Sequence, residues 1–184
     1  LSADIDGQTQ ETCRNRDRHF ARTRKFYRLT SINPQVEIVV LDKVNTLAVP
    51  VSSLLDTVDW ASGPLGPKSE WPACLHAAIG IMLPSHAQIV MFWGPEFVAF
   101  YNDAYAPTIG NKHPHAFGRP AREYWNELWD DLEPLLQRVL AKGETVAAKD
   151  RPFYIERHGY PETVYFDISY SPVADQDGTV RGVF

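Results

Sequence analysis

Cysteine is nearly absent from this chain. Only Cys13 and Cys74 occur in 184 residues, far apart and with no CxxC pair. A disulfide framework is therefore excluded, and a reducing, cytoplasmic compartment is the natural reading. No apolar run reaches the length of a membrane span, and the polar N-terminus does not read as a signal peptide. Excess positive charge is also missing. The net charge is -5 and the body of the chain has no basic face, which argues against nucleic acid as a partner. There is no GxSxG nucleophile turn, and neither the phosphoacceptor helix nor the Gly-rich ATP-binding domain of a kinase core. Internal repeats and low-complexity tracts are lacking too.

What is present suits one domain plus an extension. With 44% hydrophobic and 12% aromatic residues the chain can bury a core. Residues 1–58 differ in character from the rest and read as a leader, partly disordered or irregular, outside the core. Within it Arg14, Arg16, Arg18, Arg22, Arg24, Lys25 and Arg28 surround Phe20, Phe26 and Tyr27. Nearby acids dilute that charge, so a solvated helical leader is preferred to a contact for an anionic surface. Residues 36–41 and 47–51 read as short strands with no evident place in a sheet. The start at Leu1 and the strand-like Gly182-Val183-Phe184 suggest a fragment of something longer.

Residues 59–86 read as a docking loop and a helix. Trp60 and Trp71 are apolar anchors in a stretch rich in Gly and Pro. Leu75, Ala78, Ile79 and Met82 then recur at helical spacing over 72–83, and Pro84 ends the run.

The remaining chain, 87–184, is organised around WGPEFVAFYNDAY at Trp93 to Tyr105. Residues 87–93 and 97–102 read as strands joined by a Gly-Pro turn. The alternation of Phe97, Ala99 and Tyr101 with Val98, Phe100 and Asn102 suggests one face on the core. Asn102 and Asp103 are placed as caps of the helix that follows. Pro107, Gly110, Pro114 and Gly118 allow only short helical turns, and 119–126 reads as another short helix. Residues 129–141 predict the longest helix, with Leu132, Leu135, Leu136, Val139 and Leu140 as its apolar stripe and Gly143 as its stop. Strands follow over 145–157, 163–173 and 180–184. In the middle one Val164, Phe166, Ile168 and Tyr170 alternate with Tyr165, Asp167, Ser169 and Ser171. Strand groups on either side of a helical block predict an α+β domain with one antiparallel sheet, helices on one face and the other face free for a partner.

These residues resemble a known family. DWASGPLGPKSEWP at Asp59 to Pro72, then WGPE, YNDAY, KHP at Lys112 to Pro114 and SYSP at Ser169 to Pro172, are similar to the PAS domains at the N-terminal end of bacterial sensor histidine kinases, including hybrid kinases. The resemblance covers residues 58–184 and does not reach the leader. It implies a PAS core at 87–184, cut off within its last strand, with a five-stranded antiparallel sheet of order 2-1-5-4-3. It also implies sensing, dimeric signalling through the PAS or leader segment, and a kinase or GAF-type domain further along the parent chain.

Candidate site residues follow from chemistry. Tyr101, Tyr105, Trp125, Trp129, Tyr154, Phe166 and Tyr170 can line an apolar pocket, with Arg119 or Arg122 as a polar group; a filled aromatic core is the equal alternative. His113 and His115 flank Pro114 and are weak metal candidates, since no Cys or third His is near. No cofactor is required. Haem would need an axial ligand from His86, His113 or His115, and LOV-type flavin chemistry a cysteine that 103–126 lack. Cys74 reads as a small buried hydrophobe and His76 as a packing or surface residue. Two rival functions remain: a small hydrolase or isomerase with His113 or His158 as general base, and a pure dimerisation module.

Overall fold

The computed structural model describes residues 49–184. The segment 1–48, with its basic stretch and the strand expected at 36–41, lies outside the described residues. Of the strand expected at 47–51, residues 47 and 48 lie outside the described residues, and Val51 instead opens a helix, α1, Val51–Thr57. Val51 and Leu54 on it are buried in the core, so the part of the leader from Val51 on packs on the domain rather than standing outside it. A distant side chain fixes its start, because Asp103 Oδ1 accepts the Val51 N–H at 2.8 Å. A loop with a 3₁₀ turn at Lys68–Glu70 leads to helix α2, Ala73–Met82.

Strands β1 (Val90–Trp93) and β2 (Val98–Tyr101) form the expected hairpin. Its turn needs positive φ at Gly94 (71°) and also at Phe97 (51°), whose N–H reaches Gly94 O at 3.1 Å. Short helices α3 (Ala106–Ile109) and α4 (Ala121–Tyr124) follow, separated by Pro and Gly. The long helix α5, Trp129–Lys142, buries Trp129, Leu132, Leu136 and Val139. Asp130 and Asp131 complement the dipole of its first turn, and Gly143 closes it in the left-handed region with its N–H on Val139 O. The chain returns as β3 (Val146–Glu156), β4 (Pro161–Tyr170), β5 (Pro172–Ala174) and β6 (Val180–Val183).

The single five-stranded sheet is corrected. Four strands form one antiparallel sheet in the order β2-β1-β6-β5, and β3 with β4 forms a separate two-stranded ribbon. The strand expected over 163–173 changes partner at Ser171. Residues up to Tyr170 pair with β3, whereas Ser171 exchanges both backbone hydrogen bonds with Phe184, each at 2.8 Å. β6 is only four residues long, so it reaches β1 through Phe92 and Trp93 alone. Val90 of β1 and residues 161–170 of β4 therefore keep one edge without a neighbouring strand among the described residues.

The expectation of one free sheet face is also corrected for β1 and β2. All four residues of β2 are buried, and so are Met91, Phe92 and Trp93 of β1. Neighbouring side chains on a strand point to opposite faces, so both faces are covered. Phe92 meets Trp125 of the helical block edge-on, with centroids 5.8 Å apart. On the other face Phe100 stacks on Trp60 at 5.6 Å and meets Trp71 at 5.8 Å. The two indoles are held by their N–H groups, Trp60 on Leu55 O (2.9 Å) and Trp71 on Gly66 O (3.1 Å). The docking loop is thus part of the core. The exposed face belongs to the ribbon, where Tyr154 and Tyr165 are 50% and 68% exposed.

Candidate functional site

Alternation along β3 and β4 builds one wall of a cavity. Arg151 pairs with Phe166, Phe153 with Val164 and Ile155 with Glu162, so Arg151, Phe153, Ile155, Phe166, Ile168 and Tyr170 share the inward face. A bulge between Ala148 and Arg151, with Asp150 at φ 49°, adds one residue to β3 and shifts its inward positions from even to odd. Asp167 Oδ1 accepts the Asp150 N–H at 2.9 Å and holds the bulge. The facing wall comes from the helical block: Tyr105, Thr108, Trp125, Leu128 and Leu132. Val90 and Phe92 of β1 and Phe184 close the ends of a cavity of about 230 Å³. Gln88, Ile89, Asp167 and Ser169 also border it.

Of the residues singled out from sequence, Tyr105, Trp125, Phe166 and Tyr170 line this cavity. Tyr101, Trp129, Tyr154 and Arg119 do not. Tyr101 is fully buried and its hydroxyl lies 3.2 Å from His113 Nδ1. Trp129 packs against Phe97 with centroids 6.0 Å apart, its indole N–H without an acceptor among the described residues. Tyr154 points outward, since Phe153 and Ile155 on either side point in. Arg119 is exposed and borders a shallow hollow with Asp59, Ser62 and His115. Arg122 is exposed on α4. Phe153, Ile155, Leu128, Leu132 and Thr108 were missed. Period two over 151–155 would have found the first two, but the bulge at 149–150 breaks the pattern just before it.

Burial sets the acidity of the wall. It pushes the Tyr170 hydroxyl up to about 12, with the Arg151 charge pulling the other way. Burial also raises Tyr105, helped by Tyr170 and opposed by Trp125. Both phenols are neutral donors at physiological pH, able to fix a polar group in an otherwise apolar space.

Asn102 serves the turn that opens the helical block, its Oδ1 accepting the Tyr105 N–H, while the N-cap of α3 proper is Tyr105, which makes no side-chain cap bond. The fully buried Asn102 is a hub. Its amide nitrogen donates toward the carbonyls of Met82 (3.2 Å), Ser85 (2.9 Å) and Ala87 (2.7 Å), while its oxygen accepts the N–H groups of Ile89 (3.2 Å) and Tyr105 (3.0 Å). It ties the loop after α2, the start of β1 and the helical block together. Asp103 serves α1 instead, as described above.

The histidines are dispersed. His113 Nε2 lies 3.0 Å from Val49 O, which can only accept, so Nε2 carries the proton and Tyr101 donates to Nδ1. His115 and His158 are exposed, and His76 Nε2 meets Lys68 O at 3.2 Å. Among the described residues no three His, Cys, Asp or Glu side chains gather as a metal site. Cys74 is half-buried, and burial and the neighbouring Asp175 raise its thiol. One ion pair braces the site: Lys112 binds Glu127, whose Oε1 also accepts the Glu156 N–H at 3.1 Å, joining the helical block to the end of β3.

A family profile described as the PAS fold matches residues 88–184. The chain belongs to the PAS family. The match begins just before β1 and covers every strand of this PAS domain, including both cavity walls. Two solved structures are similar in outline. One is an RNA-binding light-oxygen-voltage receptor, at 16% identity over 64% of this chain and 33% of that one, with a TM-score of 0.43. The other is VqmA bound to DPO, at 20% identity over 51% of this chain and 48% of that one, with a TM-score of 0.36. The chain thus spans a third to a half of the length of either protein. No curated protein matches it. The family and the mixed α+β architecture support a sensory or signalling module, and no helix among the described residues is long and apolar enough to cross a membrane.

Proposed function

We propose that this PAS domain is a cytoplasmic input module of a two-component histidine kinase, and that it senses a small molecule held between the β3–β4 ribbon and the helical block. The observation that carries this reading is the cavity of about 230 Å³, walled by aromatic and aliphatic side chains with two phenol hydroxyls among them. Such a space suits a largely apolar ligand fixed by a few polar contacts. The ribbon and the four-stranded sheet both contribute walls. A ligand that binds better to one relative placement of the two shifts the population toward it. β6 pairs with β1 and leads directly into Phe184 at the cavity, so it is the natural route outward. The exposed Tyr154 and Tyr165 offer an apolar face for pairing of two copies.

A hydrolase or isomerase with a histidine base finds less support. Both ring nitrogens of His113 are engaged, and His158 is exposed on the turn between β3 and β4, outside the cavity lining. The test is native mass spectrometry of protein purified without denaturant, together with Ile168→Trp, which fills the cavity. A bound small molecule lost in the variant is the expected result. If thermal-shift screening finds no ligand and native spectra show only the polypeptide mass, the sensing reading is wrong.

A further inference from the structure

Arg151 is the one cation on the inward face of the ribbon that no carboxylate neutralises among the described residues. Arg157, also inward, is forked onto Glu162 through bonds of 2.7 and 3.2 Å, whereas Arg151 appears in no ion pair. The Arg151 guanidinium lies over the Phe153 ring, 5.3 Å from its centroid, and Phe153 is a cavity wall. Its cross-strand partner Phe166 and the nearby Tyr170 are walls as well. Its Nε is buried and has no hydrogen-bond partner among the described residues. The acids closest in sequence and pairing are exposed: Asp167 borders the cavity, where its Oδ1 accepts the Asp150 N–H, and neither acid forms an ion pair with Arg151. A buried, unpaired guanidinium N–H is costly to leave so, and its planar fork matches a carboxylate.

We propose that Arg151 makes the cavity selective for a ligand with a flat, apolar body and a carboxylate. The body lies among Trp125, Phe153 and Phe166, and the carboxylate takes the Arg151 N–H groups at the rim, with the Tyr170 hydroxyl as a further donor. Arg151 is then the residue that decides charge, and the aromatic walls decide shape. This inference rests on the cavity being a ligand site, as argued above.

Two probes of nearly equal shape separate the two ideas: 2-naphthoate and its neutral counterpart 2-naphthamide, titrated by calorimetry into the 184-residue chain. The wild type is expected to bind the naphthoate about tenfold more tightly than the amide. Arg151→Gln should abolish that preference while leaving the affinity for the amide unchanged, and Arg151→Lys should keep part of it. Circular dichroism of both variants should match the wild type, since Arg151 is partly exposed. Equal affinity for the two probes, or a preference that survives Arg151→Gln, overturns the role of Arg151 and leaves the cavity intact as a site. Failure of both probes to bind, with or without Ile168→Trp, overturns the cavity reading and this inference with it.

Discussion

At the scale of single residues the domain depends on one amide. Asn102 serves five backbone groups of three segments from a fully buried position. Asn102→Ala leaves those groups without their partner, and each buried polar group so stranded costs about 1–3 kcal/mol. We expect a total loss of about 3 kcal/mol or more, read from the urea midpoint at unchanged m-value. Local reasoning took Asn102 for a helix cap, because a short polar side chain after a strand can always serve the next turn. That bond is present, to the Tyr105 N–H, but the other four groups lie 13 to 20 residues upstream, a distance at which no local rule applies. The same holds for Asp103, whose partner Val51 is 52 positions away. Trp60 and Trp71 were legible as anchors, because a large aromatic in a loop has little else to do than dock.

At the scale of elements, two contacts decide how strands are joined. Gly182 sits where β6 crosses Trp93: a Cβ there would lie 2.5 Å from the indole Cε3 and 3.1 Å from Phe92 O. Gly182→Ala should therefore push β6 off β1 and cost about 1–3 kcal/mol, with the largest changes in amide exchange at Phe92 and Val183. The turn end of the ribbon is clasped by Arg157 and Glu162. Arg157 holds the Glu162 carboxyl below its ordinary value, so the pair stabilises the ribbon above the unfolded value of that carboxyl and the contribution is lost as pH falls through the lowered one. The Asp177 carboxyl, held down by the Thr179 N–H in the turn before β6, acts in the same direction. Urea midpoints below pH 4 should fall less steeply with pH in Glu162→Gln than in the wild type. Strand and helix periods made most elements legible, and α2, α5, β3 and β4 lie within one to three residues of their expected bounds. The break at Ser171 was not legible. Nothing in an alternating run of side chains says which backbone lies on each edge.

For the whole molecule, three phenols are taken out of water together. Burial raises Tyr101, Tyr105 and Tyr170, the last to about 12. Each is favoured in its neutral form by the fold, so their contribution is complete below the ordinary phenol value near 10 and is lost as pH rises through the raised ones. Absorbance at the phenolate band should show these three buried tyrosines ionising only as the domain unfolds in alkali. A gradual titration of all tyrosines near pH 10 with the fold intact would count against the packing described here.

The amino-acid order alone determined that this chain forms an α+β domain, that aromatic residues fill it, and that its motifs are those of the PAS family. Those properties are written in local periods and in short runs of particular residues, which need no partner to be recognised. The tertiary structure alone decided that the docking loop covers the second face of the hairpin. It also decided that the sheet divides at Ser171, and that Arg151 rather than Arg119 stands beside the cavity. Each of these depends on which distant segments meet. That is settled by the backbone edges left over once the local elements have formed, and by which side chains the pleat and one bulge turn inward.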